Sequence, residues 1–146
     1  MPVVKGCNLP DQLLYDVANH IWFEEQPDGT VKLGMTAVAT AMAGQIVAFT
    51  PKKVGRSVDA GKSCATVESG KWVGPAKSCA AGQVVQVNDA LVANPALANT
   101  DPYATGWFVI LKPDDWAAIK PTLVPGSAVT QPYEAKMTAD GFNGCP

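Results

Sequence analysis

The stretch "TVESGKWVGPAKS", residues 66–78, places one lysine between two short apolar segments. Val67 precedes Lys71, Val73 follows it, and a Gly-Pro pair comes next. β-Branched residues favour strands, whereas glycine and proline favour turns. The stretch therefore predicts a β-hairpin with Lys71 at its tip.

Further strands are predicted on both sides of this hairpin, because short apolar runs alternate there with Gly, Pro, Asn and Asp. The predicted strands lie within residues 20–36, 45–51, 62–68, 82–88 and 106–112. An Asp28-Gly29 pair, a strong hairpin signal, divides the first of these runs into two strands. The segments "AGQIVAF" (43–49) and "AGQVVQV" (81–87) resemble each other, which indicates a duplicated strand unit in a flattened barrel or sandwich.

The two ends of the chain favour short helices. Residues 113–120 begin with Pro and two acids, and residues 131–140 contain good helix formers followed by Gly141. Residues 9–17 predict a short helical turn, and residues 121–130 predict a loop. We expect one domain spanning 1–146, with a β core at about 18–112 and a helical extension at about 113–146.

Composition excludes several classes of function. The 146 residues carry a formal net charge of −2 without a block of like charges, which disfavours a nucleic-acid surface. No apolar run approaches the roughly 20 residues of a membrane span. The opening "MPVVKGCNLPDQ" lacks the basic and apolar regions of a secretory signal, so we expect a cytoplasmic protein with no membrane partner.

The four cysteines are Cys7, Cys64, Cys79 and Cys145, and we expect all of them to be reduced thiols. No C-x-x-C pair is present and His20 is the sole histidine, so no metal site is predicted. Cys64 and Cys79 are predicted to lie nearly opposite each other, either as small buried residues or as a redox pair. Cys7 and Cys145 can meet only if both ends fold onto the same face.

Lys71 has two possible interpretations. A lysine at a hairpin tip is most often a solvated charge. Here turn residues and apolar strands hold the lysine on both sides, which suits a covalent carrier: a modifying enzyme must reach the amine, while the base of the attached arm stays fixed. Neither a nucleophile–base pair nor a metal cluster is visible, so we expect a carrier rather than an enzyme.

The sequence resembles the glycine-cleavage-type H proteins over roughly residues 18–140. The most specific stretch is "NDALVANPALANTDPYATGW" (88–107), which fits the family pattern N-x-x-L-x-x-x-P-x-L-x-N-x-D-P-Y-x-x-G-W. The other matching positions are His20, Trp22, 29–31, Gly34, Gly44, Val47, 54–55, 60–61, 67–69, Lys71, Ser78, 82–85 and 87–88.

The resemblance implies a mostly β, barrel-sandwich hybrid fold with short flanking helices and covalent lipoate on Lys71. It also implies that Glu68 is read by a lipoate ligase or other attachment enzyme; the alternative is that Glu68 is a solvated charge at the end of a strand. Dihydrolipoamide dehydrogenase is a further expected partner. His20 resembles a first-strand histidine of the family and is expected to be structural, because it lies far along the chain from Lys71.

The lysine motif departs from the usual E-S-V-K-A form of the family. Gly70 precedes the lysine and Trp72 follows it, and Cys79 stands where a proline is expected. Gly70 predicts a turn with positive φ. Trp72 could shield the dithiolane, dock a partner, or pack over the turn.

The form E-S-G-K-W-V-G-P resembles the H-like lipoate-binding proteins of sulfur-oxidising prokaryotes, which serve a heterodisulfide-reductase-like complex. We therefore expect a carrier of sulfur-bound intermediates or reducing equivalents. The first alternative is the glycine-cleavage carrier of an aminomethyl group. The second alternative is an unmodified H-like scaffold with Lys71 as a surface lysine.

Overall fold

The strands predicted around the 66–78 hairpin are all present in the computed structural model, which describes residues 3–146. In chain order the strands are β1 (Val3–Val4), β2 (Cys7–Asn8), β3 (Leu14–Asp16), β4 (Ile21–Glu25), β5 (Val31–Met35), β6 (Ile46–Pro51), β7 (Ser57–Val58), β8 (Lys62–Ser69), β9 (Val73–Ser78), β10 (Gly82–Val87), β11 (Val109–Pro113) and β12 (Val124–Pro125).

Two sheets carry the architecture. The larger has seven strands in the order β12-β3-β4-β5-β11-β10-β7, and the smaller has three in the order β6-β8-β9. The two resembling segments, 43–49 and 81–87, supply β6 to the smaller sheet and β10 to the larger one. A two-stranded β1–β2 hairpin stands apart from both.

The main core lies between the two sheets. Phe49 of β6 meets Phe108, which precedes β11, with ring centroids 4.8 Å apart. Val67 of β8 and Leu33 of β5 are both fully buried in the same cluster. Burial of this apolar surface is the dominant force that holds the smaller sheet against the larger one.

Trp22 and Gly34 explain one part of the family resemblance. They are directly paired across β4 and β5. A Cβ on Gly34 would lie 2.8 Å from Cζ2 of the Trp22 ring, so only glycine leaves room for the indole. Trp22 is fully buried, and its Nε1 donates to the Pro102 carbonyl at 3.1 Å. A buried indole N–H requires such a partner.

The helices are short. They are α1 (Ala37–Ala43), α2 (Asp89–Ala93), α3 (Leu97–Thr100), α4 (Trp116–Ile119) and α5 (Thr130–Ala139), with 3₁₀ turns at Lys120–Thr122 and Gly126–Ala128. The predicted C-terminal helices are confirmed as α4 and α5, and Gly141 follows α5 with φ +68°. The predicted loop at 121–130 contains β12 and the second 3₁₀ turn.

The prediction of a helical turn at residues 9–17 is wrong. These residues form a turn followed by β3, whose Tyr15 pairs with Val124 on one side and Trp22 on the other. Tyr15 is fully buried, and its hydroxyl donates to the Pro10 carbonyl at 2.7 Å. Pairing on both sides outweighs the local helix preference of so short a segment.

The expectation of four free thiols is wrong for Cys7 and Cys145, which form a disulfide across 138 residues of sequence. The C-terminal tail returns to the β1–β2 hairpin, where the Cys145 N–H donates to the Lys5 carbonyl at 2.9 Å. Both ends therefore fold onto the same face, the one condition under which these thiols can meet. Cys64 and Cys79 are free, as predicted.

We predict that Cys145→Ser lowers the free energy of unfolding by about 2–4 kcal/mol, because the disulfide closes almost the whole chain into one loop. Urea unfolding without reductant measures this. Cys79→Ser is the matched control, since Cys79 is half-buried and unpaired and its replacement should cost less.

Alkylation of the denatured protein before reduction should label two cysteines, and alkylation after reduction should label four. Labelling of four cysteines before reduction would contradict the disulfide.

Candidate functional site

The β8–β9 hairpin closes with a two-residue loop, Gly70–Lys71. Glu68 pairs with Val73, and the Ser69 N–H donates to the Trp72 carbonyl at 2.7 Å. The tip is thus centred on the lysine, as predicted. Gly70 is not among the residues with positive φ, so that part of the prediction is wrong: the two-residue loop closes here without a left-handed residue.

Ser69 holds the loop in place through hydrogen bonds of its side chain. Its side chain is buried, and its Oγ accepts a hydrogen bond from the Lys71 N–H at 3.3 Å. The same Oγ lies 3.4 Å from the Trp72 carbonyl. The backbone of Lys71 is therefore held in place while its side chain is exposed to solvent.

The Lys71 side chain runs past Gly44, the residue that ends α1. Its Cε lies 3.4 Å from the position a Cβ on Gly44 would take. Gly44 has φ +85°, and its N–H donates to the Thr40 carbonyl at 3.0 Å. A glycine at this helix end therefore serves the turn and leaves open space along the lysine stem.

Asn99 holds this helix end from a distant part of the chain. Its Oδ1 accepts from the Ile46 N–H at 2.8 Å, and its Nδ2 donates to the Gly44 carbonyl at 2.9 Å. Asn99 belongs to the 88–107 stretch that carries the family pattern. One role of that stretch is therefore to fix the end of α1 beside Lys71.

A cavity of about 450 Å³ opens beside Lys71. Its walls come from the hairpin tip, from the start of β4, from the end of β5 and from α1. They are lined by Asn19, His20, Ile21, Met35, Ala39, Met42, Ala43, Lys71, Trp72, Pro75 and Ala76. Most of these side chains are apolar. Sequence reasoning did not find this cavity, because α1 was not predicted and its residues are distant from the hairpin in sequence.

Trp72 forms one wall of the cavity and is 38% exposed. A Cβ on Gly74 would lie 2.3 Å from Cζ2 of the Trp72 ring, so the indole occupies the space that a side chain at 74 would fill. Trp72 therefore both packs over the hairpin and presents apolar surface beside Lys71. Packing over the turn is therefore compatible with either of the other two alternatives, shielding the dithiolane or docking a partner.

Glu68 lies on the exposed face of the smaller sheet and does not line the cavity. In the part of the chain that the structure describes, Glu68 takes part in no ion pair. Its carboxylate is thus available to a partner molecule, and its role in recognition stays a prediction.

His20 lies beside Lys71 in space, because both residues line the cavity. The long sequence separation between His20 and Lys71 therefore does not mean that they are far apart in space. The contacts of His20 are nevertheless structural. Nδ1 lies 2.7 Å from the Tyr133 hydroxyl, which lies 2.7 Å from Oγ1 of Thr36, the N-cap of α1. Burial, with a smaller effect from Lys136, lowers the pKa of His20 below its ordinary value.

Cys64 and Cys79 do not face each other across the hairpin. Cys64 lies at a bulge in β8, and Cys79 follows the end of β9. Burial raises the pKa of the Cys64 thiol to about 12 and that of Cys79 to about 11, so neither forms a reactive thiolate readily. These directions disfavour a redox pair and favour Cys64 as a small buried residue and Cys79 as a half-buried one.

Residues 3–146 contain no cluster of three or more His, Cys, Asp and Glu side chains arranged to hold a metal ion. Within the same range, no helix has both the length and the apolar character needed to span a bilayer.

Two packed sheets with a lysine on a fixed hairpin tip, next to an apolar cavity, are the arrangement expected of a covalent carrier domain. The comparisons narrow the class: the family model "Glycine cleavage H-protein" matches residues 13–136. The chain belongs to the glycine cleavage H-protein family.

Individual relatives agree with this assignment. The chain is 48% identical over 135 residues to "Glycine cleavage system H protein 5" of Aquifex aeolicus, covering 90% of each chain. It is 40% identical over 130 residues to "Probable glycine cleavage system H protein 2" of Sulfurisphaera tokodaii, covering 88% and 87% of the two chains. The crystal structure of an H protein from Mycobacterium marinum superposes with a TM-score of 0.74 at 34% identity, covering 92% of this chain and 100% of the other.

The family assignment confirms the barrel-sandwich hybrid fold and the cofactor. H proteins are carriers that hold lipoate covalently on a lysine, and lipoate is the cofactor of this chain. The residues present fit it, because an exposed amine stands beside an apolar cavity large enough for a short alkyl arm. Lipoate-attaching and dihydrolipoamide dehydrogenase-type enzymes are partners of the family.

We predict that Asn99→Ala lowers the free energy of unfolding by about 1–3 kcal/mol, because it leaves the Ile46 N–H and Gly44 carbonyl without their partner. Urea unfolding measures the change. Asn94→Ala is the control, since Asn94 is exposed and its replacement should stay within about 0.5 kcal/mol. Equal costs for both variants would refute the role given to Asn99.

We predict that the protein loses stability as the pH falls through the ordinary titration range of histidine, from about pH 7.5 to about pH 5.5. The folded state disfavours protonated His20, so the unfolded chain binds the proton more readily. Acid therefore stabilises the unfolded chain relative to the folded protein. The loss should be smaller in His20→Gln, which keeps every carboxylate, including Asp140, whose Oδ2 lies 3.8 Å from His20 Nε2. Parallel urea titrations compare the slopes, and identical slopes would rule the effect out.

Proposed function

We propose that Lys71 is the lipoyl attachment site and that the protein is a mobile carrier of the glycine-cleavage type, which accepts an aminomethyl group from one partner and presents it to the next. One observation carries the proposal: Lys71 is an exposed amine on a hairpin tip whose backbone is fixed by Ser69. Membership of the H-protein family supports the aminomethyl role.

Attachment requires a reachable nitrogen. The Lys71 Nζ attacks the carboxyl carbon of an activated lipoyl donor; a C–N amide bond forms, the bond to the activating group breaks, and a proton leaves the nitrogen. The attachment enzyme must grip the carrier while this happens. Glu68 lies three residues before Lys71 on the exposed face of the smaller sheet, which suits contact with a basic residue of that enzyme.

The cavity gives the arm a place to rest against its own carrier. Ile21, Met35 and Met42 offer apolar contact, and Met side chains adapt to irregular shapes. His20 and Asn19 add polar groups at the same wall. When bound, lipoate supplies a cyclic disulfide that opens on attack by a nucleophile. The protein's contribution is to hold Lys71 and to line the space beside it.

A second candidate role is transfer of sulfur-bound intermediates or reducing equivalents to a heterodisulfide-reductase-like complex. The specific observation that favours it is the Gly-Lys-Trp sequence at the tip, with its indole seated on Gly74. This arrangement departs from the usual family form. The names of the relatives support the first role better. Aquifex aeolicus also has H proteins numbered 2 and 3, so the family supplies several carriers to one organism.

We predict that Lys71→Arg abolishes the lipoyl mass increment when the protein is incubated with lipoate, ATP and a lipoate ligase. The fold should be retained, since an exposed loop substitution costs about 0.5 kcal/mol or less. Intact-protein mass spectrometry measures attachment. Lys77→Arg is the matched control, because Lys77 is an exposed lysine of the same hairpin, and it should be modified fully. A lipoyl increment on Lys71→Arg would exclude this site, whereas a wild-type protein that gains no lipoyl mass would favour the scaffold alternative.

The carried group distinguishes the two roles. Incubating the lipoylated protein with glycine and a glycine-decarboxylating partner should add an aminomethyl mass to wild type and not to Lys71→Arg. Full lipoylation without that added mass, together with co-purification of a heterodisulfide-reductase-like complex, would favour the sulfur role.

A further inference from the structure

We propose that Trp72, seated on Gly74, is a positioning residue that packs against the sulfur end of a lipoyl group on Lys71 and limits its exposure to solvent. The proposal rests on Lys71 as the attachment site. Gly74 contributes by having no side chain, which leaves room for the indole ring.

The first step is that the indole has one defined seat. The ring lies where a side chain at position 74 would project, with Cζ2 only 2.3 Å from the Cβ that any other residue would add. The backbone conformation at position 74 does not require glycine, because its φ is not positive. The requirement for glycine here comes from the ring.

The second step is that the seated ring borders the cavity beside Lys71. Trp72 lines the same cavity as Lys71, together with Met35 and Met42, and it remains 38% exposed. One part of the ring is thus covered by Gly74, and another part borders the apolar space beside the lysine. Because Trp72 directly follows Lys71, the sulfur end reaches the indole when the arm folds back into this shared cavity.

The third step is chemical. Sulfur makes favourable contacts with aromatic rings, and a dithiolane carries two sulfur atoms next to an alkyl chain. Contact with the indole would reduce the time for which the sulfur atoms are open to attack by thiols in solution. The strength of such contacts corresponds to a change of between about twofold and about tenfold in that exposure.

The test uses wild-type protein in two forms, lipoylated and octanoylated on Lys71. The two arms have similar chain lengths, and only the first contains sulfur. Mass spectrometry first establishes that each sample is modified. Tryptophan emission is then compared, since contact with a disulfide quenches indole fluorescence.

We expect lower emission in the lipoylated form than in the octanoylated form. The difference should vanish in Trp72→Phe, which removes this indole and keeps the other three tryptophans, and should fall in Gly74→Ala, which displaces the ring. Gly70→Ala is the matched control: nothing lies within 4 Å of a Cβ at Gly70, so the difference should persist.

A kinetic arm tests shielding directly. A small dithiol reduces the dithiolane to the open dithiol while it is itself oxidised to a disulfide, and the near-ultraviolet absorbance of the dithiolane follows the reaction. We expect reduction to be between about twofold and about tenfold faster in lipoylated Trp72→Ala than in wild type. Trp72→Phe should restore most of the protection, since it keeps an aromatic ring.

Three outcomes count against the proposal. Equal emission from lipoylated and octanoylated wild type would overturn it, as would equal reduction rates for wild type and Trp72→Ala. Both results would leave the proposed function intact and would favour Trp72 as a docking residue for a partner. Failure of wild type to gain a lipoyl mass would instead remove the proposed function and this inference together.

Discussion

The hydrogen bond from the Ser69 N–H to the Trp72 carbonyl is the constraint on which the site depends. It encloses only Gly70 and Lys71, so Lys71 stands at the tip of a tight turn. The bond is itself secured by burial, because Val67 and Ala76 anchor the two strands in the core between the sheets. A carrier requires this combination: the side chain moves and the backbone beneath it does not.

Segments from distant parts of the chain converge on the same lysine. α1 ends at Gly44 beside the Lys71 stem, and Asn99 ties that helix end to the start of β6. His20 reaches the cavity from the start of β4 and connects through Tyr133 to Thr36 at the other end of α1. The helix that walls the cavity is thus fixed at both ends, and much of the family pattern serves architecture rather than chemistry.

Much of this arrangement could be predicted from the sequence. Period, turn residues and the Asp28-Gly29 pair located the strands, and the hairpin placed Lys71 at the tip. The cavity could not be predicted, because it forms only where α1, β5 and the hairpin meet. The sequence predicts Gly74 only as a turn residue, since it does not reveal which ring lies over a glycine.

The failures also have physical causes. Reduced thiols are expected for Cys7 and Cys145 because the cytosol is reducing. Their pairing instead follows from the position of the chain ends, since the C-terminal tail returns to Lys5 through a backbone hydrogen bond. The helical turn expected at residues 9–17 gave way to β3 because Tyr15 gains burial and strand partners on both sides. In both cases long-range contacts decided the outcome, and local preference did not include them.

Two of the departures from the usual family form, Gly70 and Trp72, flank Lys71, and this bears on which partners the carrier can discriminate. Partners of an H protein must recognise a common fold and a common lysine, so the residues flanking the lysine are where one carrier can differ from another. Here a large aromatic ring replaces a small residue, and a glycine two positions later accommodates it. The two features depend on each other: without Gly74 the ring has no seat, and without Trp72 the glycine leaves a gap at the rim of the cavity. Linked changes of this kind alter the surface beside the arm without disturbing the turn that holds it. The surface beside Lys71 can therefore differ at Trp72 while the turn held by Ser69 stays the same.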